Sequence, residues 1–147
     1  MFSLLFTSLY LAICLFTFGL TQSISDTHYR WVERFGIWGY MIFPVVMLSW
    51  ATLVILESHE LAWSGVGIYY VGIFAMFRSK RKHIGIIHYL GALWSIAYLM
   101  FVIWGWSPWL VASFVALSLF TLLSEKYHIY IIEILAIITL YLYMFYH

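Results

Sequence analysis

Six apolar stretches run along the chain, at approximately 3–21, 36–56, 61–77, 85–104, 107–123 and 128–146. Each meets the lower limit of about 17 residues that a helix rising 1.5 Å per residue needs to cross a bilayer. Polar breaks separate them: Thr21 to Phe35, Glu57-Ser58-His59-Glu60, Arg78-Ser79-Lys80-Arg81-Lys82-His83, Gly105-Trp106-Ser107-Pro108 and Ser124-Glu125-Lys126-Tyr127. The pattern predicts an all-α polytopic membrane protein, a bundle of about six short transmembrane helices forming one domain over residues 1–147. Because the break from Gly105 to Pro108 carries no charge, a re-entrant pair is the alternative for spans four and five.

The first connection has a pattern of its own. Ser23-Ile24-Ser25-Asp26 fits a capping box, with Ser23 capping a helix and Asp26 reaching back to it. Ile24, Trp31 and Phe35 recur near helical spacing, while Asp26, Arg30, Glu33 and Arg34 are polar. A short helix lying at the membrane interface before the second span is expected. Pro44 is expected to kink that span, because it lacks the N–H that a helix interior requires.

Composition names the solvent. Hydrophobic residues make up 65% of the chain and charged ones 9%, with a mean hydropathy of +0.98. A soluble domain carries roughly 25% charged residues, so this apolar surface has to meet lipid. The net charge of +1 excludes a nucleic-acid partner, which needs a clustered basic face. Cys14 is the sole cysteine, which excludes an intrachain disulfide and a cysteine-rich metal site. It reads as a small buried or lipid-facing hydrophobe. Met1 to Leu5 has no basic residue and no small-residue cleavage site follows, so the first stretch reads as a retained helix.

The basic residues choose an orientation. Arg30 and Arg34 fall in the first connection, Arg78, Lys80, Arg81 and Lys82 in the third, and Lys126 in the fifth. The positive-inside rule places these connections in the cytoplasm, in a cytoplasmic (inner) membrane with both termini outside. Arg78, Lys80, Arg81 and Lys82 are also candidates to hold anionic lipid headgroups, so membrane lipids are the expected partners.

Two ionisable residues lie well inside spans, His88 and Glu133, and such groups are expensive in a membrane and functional candidates by default. His88 shares a helix face with Gly91, Ala92, Ser95 and Leu99, a small-residue face suited to close helix packing. The orientation gathers Ser23, Ser25, Asp26, His28, His88, Ser95 and Glu133 into one polar cluster near the cytoplasmic end. These groups suit proton exchange, a divalent metal whose bound water attacks a lipid ester or amide, or a cation path. A His hydrogen-bonded across helices to fix packing is the competing structural reading.

Other constellations carry less. His83 and His88, five apart, lie on different helix faces and make poor co-ligands, and no pair of histidines is singled out for a haem. Ser23 and Ser25 lack a Gly-x-Ser-x-Gly elbow. Glu57, His59 and Glu60 read as a solvated turn, with weak cation binding as the alternative.

With Ser23-Ile24-Ser25-Asp26-Thr27-His28-Tyr29, His88-Tyr89-Leu90-Gly91-Ala92 and Glu133, the chain resembles a family of small, uncharacterised multi-pass membrane proteins of bacteria and their phages. That family carries a Ser-x-Ser-Asp/Glu-Thr-Tyr-Tyr segment, a His-x-x-Gly-Ala segment and a late membrane Glu; His28 here stands where a Tyr is usual. The resemblance implies no activity. The membrane hydrolases that include alkaline ceramidases and adiponectin-type receptors offer a second comparison, but their His-x-x-x-His pair is missing here, so their zinc site is not carried over.

The leading expectation is a non-enzymatic protein that transports or conducts a small solute or ion, with no cofactor and as a possible homo-oligomer. The alternatives are an intramembrane lipid-modifying enzyme using Asp26, His88 and Glu133, with a divalent metal or as acid–base groups, and a partner-binding or membrane-perturbing, phage-related protein.

Overall fold

A computed structural model describes residues 1–75, 82–123 and 127–147. Its described residues form seven α-helices and a short 3₁₀ turn. They are α1 (Phe2–Phe18), α2 (Asp26–Phe35), α3 (Ile37–Glu57), the turn His59–Leu61, α4 (Ala62–Ala75), α5 (Lys82–Trp106), α6 (Pro108–Thr121) and α7 (His128–Tyr146). There is no strand among the described residues. Each of the six apolar stretches is represented by a helix, and α2 is the additional short helix.

Among the described residues, three stretches are long and apolar enough to cross a membrane: Ile37–Glu57, Ile86–Trp106 and His128–Tyr146. α1 is apolar but has 17 residues and α6 has 14. Fourteen residues rise about 21 Å, short of a hydrocarbon core of roughly 30 Å. At most 39% of any of the three long stretches is buried inside the molecule. Phe16, Trp38 and Trp109 are at least 80% exposed. An exterior this apolar supports a membrane location, because water would penalise it by ~25 cal/mol per Å².

Glycine governs how closely the helices approach. Gly36 (φ 59°) makes the left-handed turn that lets α2 fold back on α3. At Gly39 a Cβ would stand 2.0 Å from the carbonyl oxygen of Trp31, so only glycine admits that contact. The α4–α5 pair is also close, with Gly67 facing Gly91 and Ser95. This is the packing that the small-residue face of span four predicts. α3 continues as a helix through Pro44, which is buried against α4 near Gly72.

Phe43, Val54, Leu61 and Ile103 are fully buried and form the centre of the core. Polar contacts then sort the molecule into two ends. At one, Glu57 accepts from the Ser3 N–H (3.0 Å) and hydroxyl, and pairs with the Met1 amino group at 3.1 Å. Glu60 meets Tyr143 and His147 at the same turn. At the other, the Tyr130 N–H donates to the carbonyl of Gln22 at 3.1 Å. α1 and α7 therefore run antiparallel, with the chain ends together and the α1–α2 loop against the start of α7.

The turn from Glu57 to Glu60 is solvated at His59 and Glu60, which are exposed, but not at Glu57. Glu57 keeps only 16% of its side chain exposed and ties α3 to the start of α1. Arg78, Lys80, Arg81 and Lys126 lie outside the described residues, as does the side chain of Lys82.

Candidate functional site

The α1–α2 loop is stitched by its own hydroxyls. The Thr21 hydroxyl donates to the carbonyl of Ser23 at 2.8 Å, and the Ser23 and Ser25 hydroxyls are 2.9 Å apart. The expected capping box is displaced from the start of the helix. Ser23 Oγ does accept the Asp26 N–H at 3.2 Å, but the helix begins at Asp26 with Ser25 at the N-cap position. Three successive i to i+3 backbone bonds, from Ser23, Ile24 and Ser25, tighten residues 23–28 and move the helix start two residues on. The Thr27 hydroxyl holds the carbonyl of Ile24 at 2.6 Å and lies 2.7 Å from Tyr10 OH, anchoring the loop to α1.

Glu133 lies between the first and second turns of α7 and points at this loop. Its Oε2 accepts the Ile24 backbone N–H at 2.5 Å. This bond takes up an N–H that α2 cannot satisfy, since Ile24 precedes the helix. Beside it lies a cavity of about 80 Å³ between the loop, α3, α4, α5 and α7. Its polar contributors are Ser25, Ser64, Ser95 and Glu133 with Trp50; Phe43, Ile68, Leu99 and Ile137 are among its apolar walls. Glu133 is the ionisable residue in that lining.

Ser64 Oγ lies 3.0 Å from both the carbonyl and the hydroxyl of Ser95, bridging α4 and α5 at the cavity wall. Trp50 connects the cavity to the opposite end. Its indole N–H donates to Tyr141 OH at 2.9 Å, and that hydroxyl lies 2.9 Å from Thr7 Oγ1. The Thr7 hydroxyl also donates to the carbonyl of Ser3, whose own hydroxyl meets Glu57. Polar contacts thus run from Glu57 through α1 and α7 to the cavity.

The sequence-derived candidates separate into groups. Ser25, Ser95 and Glu133 share the cavity, and Ser23 supports Ser25 from behind. Asp26 sits half-buried in the first turn of α2, where a carboxylate meets the positive end of the helix dipole. It does not line the cavity, and neither does His88. His88 is buried on the α4–α5 interface with Nδ1 3.0 Å from the carbonyl of Val71. A carbonyl only accepts, so this bond places a proton on Nδ1. Of Asp26, His88 and Glu133, only Glu133 lines the cavity, and no group of three His, Cys, Asp or Glu among the described residues could hold a metal ion.

His28 is 2% exposed and stands among the rings of Tyr29, Tyr40 and Phe43, with centroids 5.1–6.0 Å away. Its Nδ1 has no hydrogen-bond partner among the described residues. Burial pushes its pKa below the usual histidine value, so the ring is neutral near pH 7.

Sequence reasoning did not single out Ser64 or Trp50 as lining residues. Ser64 had a legible signal, since Ser64-Gly65-x-Gly67 is a small-residue run of the kind found on packed helix faces. Trp50 had none, being one of eight tryptophans. No protein-family model, curated protein or solved structure matches this chain.

Proposed function

We propose that the chain is a multi-pass protein of the cytoplasmic membrane that moves a proton or small cation, with the Glu133 cavity as its holding site. One observation carries this reading: a partly open cavity of about 80 Å³ whose ionisable lining group is a carboxylate. At roughly 30 Å³ per water, that volume admits two to three waters. A proton relay, or a small cation with part of its hydration shell, suits such a space, while a drug-sized solute needs roughly 300–1,000 Å³. Ser25, Ser64 and Ser95 supply hydroxyl oxygens that can replace lost water ligands, and the apolar walls strengthen the attraction of Glu133 for a cation by lowering the local dielectric.

In this reading all six apolar helices lie in the bilayer, and α2 rests at its cytoplasmic face. Arg30 and Arg34 on α2 favour the cytoplasmic side for the Glu133 end, and the turn bearing Glu57 and Glu60 then faces outward. The short α6 fits by local thinning or by self-association, both ordinary responses to a helix shorter than the hydrocarbon core. The test is flux in vesicles reconstituted with the full chain, read by an entrapped pH dye and by sodium- and potassium-sensitive dyes. Wild type should dissipate one of these gradients, and Glu133→Gln should slow it at least tenfold without unfolding the protein. Leak no faster than in protein-free vesicles for all three ions would overturn the proposal.

A further inference from the structure

A second recess lies at the opposite end of the molecule, away from the Glu133 cavity. It has a volume of about 420 Å³ and is lined by Glu60, Tyr98, Val102, Gly105, Trp106, Tyr143 and His147. The Trp106 and Tyr143 rings meet edge to face, with centroids 5.6 Å apart and planes at 82°. Two perpendicular rings make a corner, and Glu60 stands beside it, because Tyr143 OH donates to Glu60 Oε2. His147 Nδ1 lies 3.7 Å from the same oxygen while its ring stacks on Tyr143 at 4.9 Å and 15°. Both contacts to this carboxylate fall on Oε2, and Oε1 accepts from no described residue.

We propose that Glu60, Tyr98 and Trp106 form a binding site for the ammonium group of a small organic cation, with the buried Tyr143, covered by the His147 ring, holding Glu60 in place. The charge excludes anions. A hard divalent ion takes six to eight oxygen ligands, and this recess offers one carboxylate and two phenol hydroxyls. A softer metal lacks ligands as well, since no group of three His, Cys, Asp or Glu is available among the described residues. An alkylammonium needs something different: a single negative charge and aromatic faces whose quadrupoles attract its diffuse positive surface. The recess supplies that combination. His147 already shows where a nitrogen sits here, against the carboxylate and over an aromatic face.

Alkylammonium groups come as free amines and as choline or ethanolamine lipid headgroups, and the recess lies at a helix end where either can arrive. Tetramethylammonium chloride is the probe, titrated calorimetrically into the full chain in phosphatidylglycerol nanodiscs, with empty discs subtracted. Saturable binding is expected, weakened at least tenfold in Glu60→Gln and in Trp106→Leu and unchanged in Glu133→Gln. The last variant separates this site from the ion path, so failure of either proposal leaves the other standing. Repeating the titration in phosphatidylcholine discs identifies the source. Apparent affinity lowered tenfold assigns the site to lipid headgroups, and unchanged affinity assigns it to free amines. Absence of saturable binding in phosphatidylglycerol, or full binding in both Glu60→Gln and Trp106→Leu, would overturn the site. Circular dichroism of each variant establishes that loss of binding is not loss of fold.

Discussion

Glu133 Oε2 and the backbone N–H of Ile24, 109 positions apart in the chain, are joined by a 2.5 Å hydrogen bond. This bond fixes the loop that carries Ser23 and Ser25 against the start of α7, and so forms one wall of the cavity. It gives Glu133 a structural role beside the ion-holding role proposed for it, and two substitutions separate the two. Glu133→Gln keeps an acceptor oxygen and removes the charge, so stability should fall by no more than ~1 kcal/mol while ion flux is lost. Glu133→Ala leaves the Ile24 N–H unpaired and should cost ~1–3 kcal/mol. Thermal unfolding in detergent, run beside the flux assay, distinguishes them; equal destabilisation by both variants would contradict the acceptor role.

The α4–α5 contact should be intolerant of a single methyl group. A Cβ on Gly67 would lie 2.7 Å from both the Gly91 carbonyl oxygen and Ser95 Cβ, and one on Gly91 would lie 2.7 Å from Tyr70 Cβ. Gly67→Ala and Gly91→Ala should each destabilise by ~1–3 kcal/mol through overpacking. Gly105, with nothing within 4 Å of its built Cβ, is the control, and Gly105→Ala should be neutral or stabilising by up to ~1 kcal/mol from helix propensity. Melting temperatures of the three variants decide the matter.

Tyr141 joins three helices through one hydroxyl, which accepts from Trp50 on α3 and lies 2.9 Å from Thr7 Oγ1 on α1. Removing it in Tyr141→Phe strands the buried indole N–H of Trp50 at a cost of ~1–3 kcal/mol. Trp50→Phe in the same background should then cost less than it does alone. A double-mutant cycle measures the coupling, and additivity of the two substitutions would deny the bond any energetic weight.

His28 should make the fold acid-sensitive. Its pKa is lowered in the folded state by burial, so below its unfolded value of about 6.5 the unfolded chain binds a proton that the folded chain refuses. Its contribution is therefore fully present above that pH and is lost as pH falls below it, with a slope of at most ~1.4 kcal/mol per pH unit. His28→Phe, which keeps a ring among Tyr29, Tyr40 and Phe43, should flatten the decline in melting temperature between pH 7 and pH 5. A decline as steep in this variant as in wild type would assign the sensitivity elsewhere.

The helices were legible one by one. Apolar runs long enough to need a helix, broken by charges and by Pro108 at the first position of α6, announce themselves through period and composition. The close face of span four was readable too, because His88, Gly91 and Ser95 recur at helical spacing and small residues mark close approach. That its partner is the Ser64-Gly65-x-Gly67 run was not, since the small-residue run marks a packed face but how two helices cross decides which face it meets. Glu133 was legible as a candidate on grounds of membrane cost and Ser25 through the orientation, yet the same reading grouped them with Asp26 and His88, which do not line the cavity. Residues on one end of a bundle share a depth but not an azimuth, and depth is all that span counting conveys.

At the other end the limits were wider. Glu57 read as part of a solvated turn because its partner Ser3 is 54 positions away, and the contact of the exposed Glu60 with Tyr143 spans 83 positions. Local sequence determined the helices, their apolar character and the set of polar groups that must be buried or paired, because propensity and transfer cost act residue by residue. Tertiary structure alone decided which of those groups meet, placing Glu133 on the Ile24 amide and Glu60 beside Trp106 and Tyr143. Such pairings depend on helix rotation and crossing, which arise from packing of distant segments and leave no short-range trace in the chain.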